Sequence, residues 1–589
     1  ASRDGLTVEA NGSGTTGMTE IGGTSELIGI AVALVVLILT FGSLIAAGLP
    51  IVTALVGVGL GIMGVTAMTA FTDIGSTTPM LATMIGLAVG IDYALFVVER
   101  YREERRRGRS KHEAIEIAGG TASKAVLFSG GTVIFALSGM LIVPETTFKS
   151  LGLGAVLVVI VAILGTMTLI PAMLSLLGDK IDWPRRKKYD AAMAAKQATH
   201  DEEIIHRGFW GRLTNSVMAH PVISVVLAVA ILVSCALPYF DLNEGAAGIS
   251  ALPTDTKSAA AFRVLERDFP AGTVAPVEIV VDGNVNDPAV QGGIDRLNSL
   301  LAGAGVFGDP AVTSNDAGNL TLISVPMTIA PDTDQANNEI RTLRSDLVPA
   351  AFDGVDASVY VSGVSAGTID FMSIVDHWTP IVFAFVLGLS FILLMIAFRS
   401  IVVPAKAILM NLLSVGAAYG LIVLVFQKGY GADFFGFQKT PTIEAWLPLF
   451  LFCVLFGLSM DYHVFLLSRI RERYDISGKN KESVAVGLQS TAKIITGAAL
   501  IMVAVFSGFA AGSLVSLQQA GFGLAVAVLL DATIVRSILV PASMALLGDR
   551  NWYLPNWLGW LPKLHIEGEA APALRMPITQ LPASVTGDD

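Results

Sequence analysis

Charge is scarce in this chain. Only 15% of its 589 residues are Asp, Glu, Lys or Arg, against roughly 25% in soluble domains, which excludes a protein built only of soluble domains. Cysteine is nearly absent. Cys235 and Cys453 are the only two, and both sit inside long apolar stretches, so there is no disulfide framework. Positive charge is in deficit, with 38 Lys and Arg against 49 Asp and Glu and a net charge of −11. No basic domain is present to neutralise phosphates, so nucleic acid is not an expected partner. No GxxxxGK[ST] loop occurs, which removes the usual sign of ATP use. The chain opens at Ala1 on a polar Gly/Ser/Thr stretch, without the pattern of a signal peptide.

Apolar residues, in contrast, make up 53% of the chain. They fall into eleven runs of about 18 to 27 residues, each long enough to cross a ~30 Å hydrocarbon core. The runs are Leu27–Leu44, Ile51–Ala70, Leu81–Val98, Ala125–Val143, Leu151–Leu177, Val222–Phe240, Pro380–Phe398, Ala407–Phe426, Ala445–Leu467, Ile494–Ala511 and Phe522–Leu547. Eleven such runs cannot all hide in one soluble core. Three connections, 99–124, 178–220 and 469–493, hold 22 of the 38 basic residues. All three fall on one side if each run crosses once, and the positive-inside rule makes that side cytoplasmic. Segment 241–378 then lies outside. It carries 6 basic and 19 acidic residues.

That outer segment reads as an α/β domain. A leading helix (Ser258–Arg267) precedes a strand at Val277–Val281, and Asp287 is placed to cap a helix running to about Leu301. A short strand near Ala311 and a longer one at Asn319–Ile329 follow. Thr333 or Asp334 opens a helix to Leu347, and Ala357–Gly363 closes as a strand. The order βαββαβ predicts a ferredoxin-like sandwich.

The chain also repeats itself. "GIDYALFVVERYREE" (Gly90–Glu104) matches "SMDYHVFLLSRIRER" (Ser459–Arg473) at a constant offset of 369, so Asp92, Tyr93, Phe96 and Arg100 fall on Asp461, Tyr462, Phe465 and Arg469. "LIPAMLSLLGDK" (Leu169–Lys180) matches "LVPASMALLGDR" (Leu539–Arg550) with one residue of slippage. Five spans before the cytoplasmic gap thus correspond to five after the outer domain, in the same membrane direction. This is a parallel repeat of the kind found in transporters. "VEANGSG" (Val8–Gly14) resembles the closing strand "VYVSGVS" (Val359–Ser365), which predicts a further span and outer domain upstream and twelve spans in a complete protein. The resulting division is 1–24, the end of a first outer domain; 25–178, the first membrane half; 179–220, a cytoplasmic connection; 221–240, the span opening the second half; 241–378, the outer domain; 379–548, the second half; and 549–589, a cytoplasmic tail.

Asp92 and Asp461 carry the chemistry. Each is the lone carboxylate of an apolar span, where an acid costs roughly 2.5 to 3.5 kcal/mol on insertion scales. Two at equivalent positions, each followed by Tyr, point to function. A carboxyl removed from water favours its neutral form, the condition under which it can take up and give back protons. Tyr93 and Tyr462 are placed to donate to the carboxylate of the opposite helix. Phe96 and Phe465, at +4, extend the two carboxylate faces by a turn. Gly86, Gly90 and Ala94 form a small-residue stripe, as do Gly457 and Ser459; the pattern reads first as generic helix packing but sits where the two Asp helices would need to meet. Asp531 and Arg536 share the last span. Five residues apart they are about 140° apart on an α-helix, so each is expected to contact a different neighbour. Ser129 and Ser138 read first as hydrogen bonds between helices and only second as relay elements. "GVSAG" (Gly363–Gly367) mimics a nucleophile elbow, but the only histidine nearby is His377 on the same helix. His200 and His206 flank "DEEII" on a solvated helix, and no metal site is expected.

At these residues the chain resembles the mycobacterial membrane protein large (MmpL) family of the resistance-nodulation-division superfamily. "LLDATIVRSILVPA" (Leu529–Ala542) and "GFWGRL" (Gly208–Leu213) add to the match. The resemblance implies export of lipid, glycolipid or other hydrophobic substrates from the bacterial plasma membrane, driven by the proton gradient and without a cofactor. Trehalose monomycolate is a leading substrate, and membrane lipids and periplasmic or cell-envelope proteins are partners in view. It implies Asp92, Tyr93, Asp461 and Tyr462 as relay residues, Phe96, Phe465, Gly90 and Ser129 beside them or lining an inhibitor pocket, and Asp531 and Arg536 in support. His463 departs from the acidic residue of the mycolate-exporter type. A multidrug or siderophore efflux pump and a lipid- or sterol-sensing receptor of the same superfamily are alternatives. A protein-translocation motor of the SecD/SecF type fits the Asp-Tyr pair less well.

Overall fold

A computed structural model describes residues 24–183, 209–245, 275–331 and 333–561, with scattered positions in 260–274. Residues 1–23, the stretch with His200 and His206, much of the expected helix at 258–267 and the tail beyond 561 lie outside the described residues.

The first membrane half is α1 (Thr24–Phe41), α2 (Leu44–Met68), α3 (Thr78–Arg106), α4 (Lys111–Ser138) and α5 (Thr146–Leu177). After α6 (Phe209–Ala219) and α7 (Pro221–Ala236) comes the α/β domain expected outside the membrane, with α8 (Pro288–Ala304) and α9 (Asp334–Thr342). The second half is α10 (Val364–Phe398), α11 (Val402–Ile422), α12 (Leu447–Ser477), α13 (Asn480–Ala510) and α14, which starts at Val515 and reaches Leu547 through a π-helical stretch. Among the described residues ten helices are long and apolar enough to cross a membrane, and Ser25–Phe41 is apolar but shorter. The first run stops short of its expected end at Leu44. Gly42 takes a left-handed turn at φ 67°, and Ser43 caps α2 through the backbone N–H of Ala46, which closes one helix and opens the next.

Helices α3 and α12 occupy the middle of the bundle. Their apolar windows are 94% and 89% buried, against 11% for the span opening at Pro221 and 22% for α10. A helix buried on every side can keep polar groups only where neighbours satisfy them, so the sequence position of Asp92 and Asp461 on these two helices sets the site.

Among its described residues this domain has four antiparallel strands, β2 (Val277–Asp282), β3 (Ala311–Ser314), β4 (Leu320–Val325) and β5 (Ser358–Ser362), in the order β3-β4-β2-β5. Ile279 sits opposite both Ile323 and Val361. Val277, Ile279 and Val281 alternate inward and pack with Val290, Ile294 and Leu297 of α8 and Ile340 of α9 in one core, as period-two patterning requires. Gly363, at φ 109°, joins β5 to α10, and a Cβ there would meet the Pro276 carbonyl oxygen at 2.8 Å. From Gly363 the helix runs unbroken to Phe398, so position 378, the expected domain edge, falls inside it. Arg344 clamps Asp370 on this stem with two bonds of 2.6 and 2.9 Å and also donates to the Val361 carbonyl. The carboxylate partner raises the Arg344 pKa further. A two-residue parallel pair, β1 (Glu244–Gly245) with β6 (Ile443–Glu444), ties the start of the outer segment to the loop before α12.

Candidate functional site: two carboxylates at the bundle centre

The two Asp-Tyr dipeptides meet between α3 and α12. Tyr93 donates its hydroxyl to Asp461 Oδ2 at 3.1 Å. In the reciprocal pair, Tyr462 lies against Asp92, and its hydroxyl also reaches Met502 Sδ at 3.9 Å. All four side chains are buried. Phe96 and Phe465 meet edge to face with centroids 4.9 Å apart, and Phe96 approaches the Tyr462 ring at 6.1 Å.

The two carboxylates have different surroundings. Asp461 accepts from Tyr93 on one oxygen, and its other oxygen lies 2.7 Å from the Thr132 hydroxyl, which it shares with the Ser129 carbonyl, with the Ser129 hydroxyl beside both Asp461 and Tyr93. Asp92 Oδ1 has no donor within the protein. The repeat explains the difference. At the offset of 369, Ser129 and Thr132 of α4 correspond to Ala498 and Ile501 of α13, so the hydroxyls that serve Asp461 have apolar counterparts. Thr132 was not singled out in the sequence, although it lies three residues after Ser129 and hence on the same helix face.

On the side of Tyr462 is a polar cluster from α11, α12 and α14. Arg536 stacks over the Tyr462 ring at 4.4 Å, donates to the Ser459 carbonyl at 3.1 Å and pairs with Asp531. The expectation that Asp531 and Arg536 contact different neighbours is thus corrected. Asp531–Leu539 is π-helical, and its i→i+5 geometry brings residues five apart onto one face. The Ser459 hydroxyl lies 2.8 Å from Asn411 Oδ1 and 3.0 Å from Asp531 Oδ2. A cavity of about 20 Å3 opens among Asn411, Ser459, Tyr462, Met502, Asp531 and Arg536, enough for about one water. Among the described residues no group of His, Cys, Asp and Glu is arranged to hold a metal ion.

The small-residue stripes serve helix packing, but not between the two Asp helices. A Cβ on Gly86 would meet Val158 and Val58, and one on Gly90 would meet Ala54. The stripe therefore seats α3 against α2 and α5, and Gly457 seats α12 against Val133 of α4. Helices α3 and α12 face each other through Tyr93, Phe96, Asp461, Tyr462 and Phe465, whose size holds the backbones apart. Ser138 is spent locally on the Phe135 carbonyl. Ser365, the serine of the elbow-like pentapeptide, donates to the Pro331 carbonyl at 2.7 Å.

Comparison with known proteins gives the family. The profile of the MMPL family matches residues 2–224 and 250–563. The chain belongs to the MMPL family. It is 36% identical over 96% of its length to the membrane protein YdfJ of Bacillus subtilis, of which it covers 76%. It is 34% identical over 92% of its length to the mycolic acid-containing lipids exporter MmpL11 of Mycolicibacterium smegmatis, and 30% identical over 90% to the trehalose monomycolate exporter MmpL3 of Mycobacterium tuberculosis. The chain spans little more than half of those two mycobacterial proteins, 56% and 58%. Among solved structures, the translocon-associated SecDF of Thermus thermophilus aligns with a TM-score of 0.50 at 14% identity, covering 89% of this chain and 61% of that one. That likeness is one of fold. As an MMPL-family member with ten helices suited to crossing a membrane among the described residues, the chain is a multi-pass membrane protein.

Proposed function

We propose that this MMPL-family chain is the larger part of a proton-driven exporter of lipid, glycolipid or another hydrophobic molecule, set in a bacterial plasma membrane. In this reading the described spans are part of a two-half, twelve-span bundle, and the outer sheet with its two helices is a ferredoxin-like domain on the extracytoplasmic face. The observation that carries the proposal is the reciprocal Asp-Tyr arrangement between two repeat-related helices, buried at the bundle centre. A carboxyl there exchanges charged and neutral forms as it takes up and releases protons. Each form holds a different set of hydrogen bonds, since a carboxylate only accepts whereas a carboxylic acid also donates. A packed pair of helices with two such arrangements can convert the exchange into motion.

A route to the outer domain supports the reading. Phe452 on α12 stacks on Phe383 of α10 with centroids 3.7 Å apart, and α10 continues without a break to β5. Movement of α12 is thereby passed to the domain along one continuous helix. The relatives' names keep the substrate class broad. They include exporters of mycolic acid-containing lipids and of trehalose monomycolate and a haem uptake protein, all concerned with hydrophobic or amphiphilic molecules. Trehalose monomycolate is the first lipid to try, and periplasmic or cell-envelope partners would receive the product. The four relay residues are Asp92, Tyr93, Asp461 and Tyr462, with Ser129, Phe96, Phe465, Asp531 and Arg536 around them.

The test is lipid transfer in inverted membrane vesicles under an imposed proton gradient. Transfer that stops on adding a protonophore supports the reading. Lipid binding with no gradient-dependent transfer favours the sensor alternative instead.

A further inference from the structure

His463 follows Tyr462 and is 1% exposed. Its Nδ1 lies 3.3 Å from the Ser459 carbonyl oxygen, the same oxygen that receives Arg536 at 3.1 Å. Its Nε2 has no hydrogen-bond partner within the protein, and neither do Asp531 Oδ1, Arg536 Nε and Asn411 Nδ2 in the same cluster. Four buried polar atoms left over in one place are unusual, because the great majority of such atoms are paired. The charges that His463 faces are Asp531 and Arg536 from α14 and Lys406 from α11. The repeat gives no counterpart in the first half. His463 corresponds to Ala94 at the offset of 369, and Asp531 and Arg536 correspond to Val161 and Thr166 at the slipped register of 370. The cluster is therefore private to the Asp92–Tyr462 side of the site.

From this geometry we infer that His463 is a positioning residue that sets where Arg536 rests over Tyr462, and through it the proton affinity of Asp92. The inference rests on the proposed proton coupling. With Nδ1–H donated to the Ser459 carbonyl, the bare Nε2 holds a lone pair. A water-borne proton adds to that lone pair, the donor oxygen keeps its bonding electrons, and the ring becomes a cation. Imidazolium then stands beside the Arg536 guanidinium, the Lys406 amine and one carboxylate, Asp531. It competes with Arg536 for Asp531 and for the shared carbonyl. Arg536 has one further hold, its stack on the Tyr462 ring, and that ring carries the hydroxyl facing Asp92. One protonation thus redistributes three contacts that converge on one carboxyl, while Asp461, held by Tyr93 and Thr132, is left on the far side.

The experiment follows the protonated-carboxyl infrared band of the full chain in liposomes as a function of pH, without substrate. Asp92→Asn and Asp461→Asn assign the band to each carboxyl. In His463→Gln, which keeps hydrogen bonding but does not titrate in this range, the Asp92 midpoint is expected to move by at least about half a pH unit, with the Asp461 midpoint moving less. His463→Ala, the residue found in the other repeat, is expected to act in the same sense. Asp92 midpoints equal to wild type in both variants, or in the one that remains folded by size-exclusion and thermal melting, overturn the inference. The proposed function fails separately. If the Asn variants still transport against a gradient, the carboxyls do not drive export, whatever His463 does to their titration.

Discussion

Asp461 has a donor on each oxygen and Asp92 Oδ1 has none, so the two halves of one repeat are not interchangeable. Hydrogen bonds to a charged group are worth about 1.5–3 kcal/mol. Thr132→Val removes one such bond from Asp461 while keeping the shape of the side chain. It is expected to slow initial export by about 10-fold or more, with the folded protein unchanged by size-exclusion; wild-type export would place Thr132 outside the machinery. The Asp531–Arg536 pair makes a claim about stability. Removing one partner of a buried ion pair leaves an uncompensated charge and costs about 3–5 kcal/mol, whereas replacing both partners by apolar residues is often neutral. Arg536→Met should therefore lower the melting temperature strongly in detergent, and adding Asp531→Leu should restore most of it. A double variant no more stable than the single one would mean that Arg536 is held chiefly by Ser459 and Tyr462.

Strand β1 holds the start of the outer segment to the loop before α12, and Glu244 lies within it. Burial, with Asp376 nearby as a second anion, pushes the Glu244 carboxyl up to about 7. The unfolded chain releases this proton near 4.5, so the folded state binds more protons between the two values. Stability from this group is greatest below about pH 4.5 and is lost as pH rises to about 7. Amide protection of β1 and β6, taken relative to the rest of the chain, should fall across that window in wild type and stay level in Glu244→Gln; parallel curves for the two proteins would contradict this. At this scale the sequence was a good guide where periodicity decides. The long helices, the strands at 277–282, 320–325 and 358–362, and the capping roles of Asp287 and Thr333 follow from local pattern. It misled where geometry departs from the regular helix. A π-helical stretch at Asp531–Leu539 has no composition signature, and without it Asp531 and Arg536 point apart. The glycine stripe shows that α3 packs closely on something, but not on what. Only the fold assigns Gly86 and Gly90 to α2 and α5 and leaves large aromatic residues between the two Asp helices.

The molecule as a whole is two repeated halves whose central helices bring together residues 369 positions apart. The pairing of Asp92 with Tyr462 and of Tyr93 with Asp461 was legible because the repeat makes the two dipeptides equivalent. Thr132, Asn411 and Met502 were not, because they come from helices whose neighbours a sequence does not name, and Ser459, read only as a small residue, turns out to join Asn411, Asp531 and Arg536. The membrane direction is testable by labelling. With Cys235 and Cys453 replaced, Asn315→Cys on the outer domain should react with an impermeant maleimide in intact cells, and Lys481→Cys at the start of α13 only after permeabilisation. The reverse pattern would invert the topology and the direction of export with it. The most direct measurement of the central claim is export by vesicles under an imposed proton gradient, comparing wild type with Asp92→Asn and Asp461→Asn. Asn keeps nearly the same shape but cannot exchange a proton in this range. The account predicts that each variant folds and inserts normally and loses gradient-driven export; export at the wild-type rate by either one would contradict it.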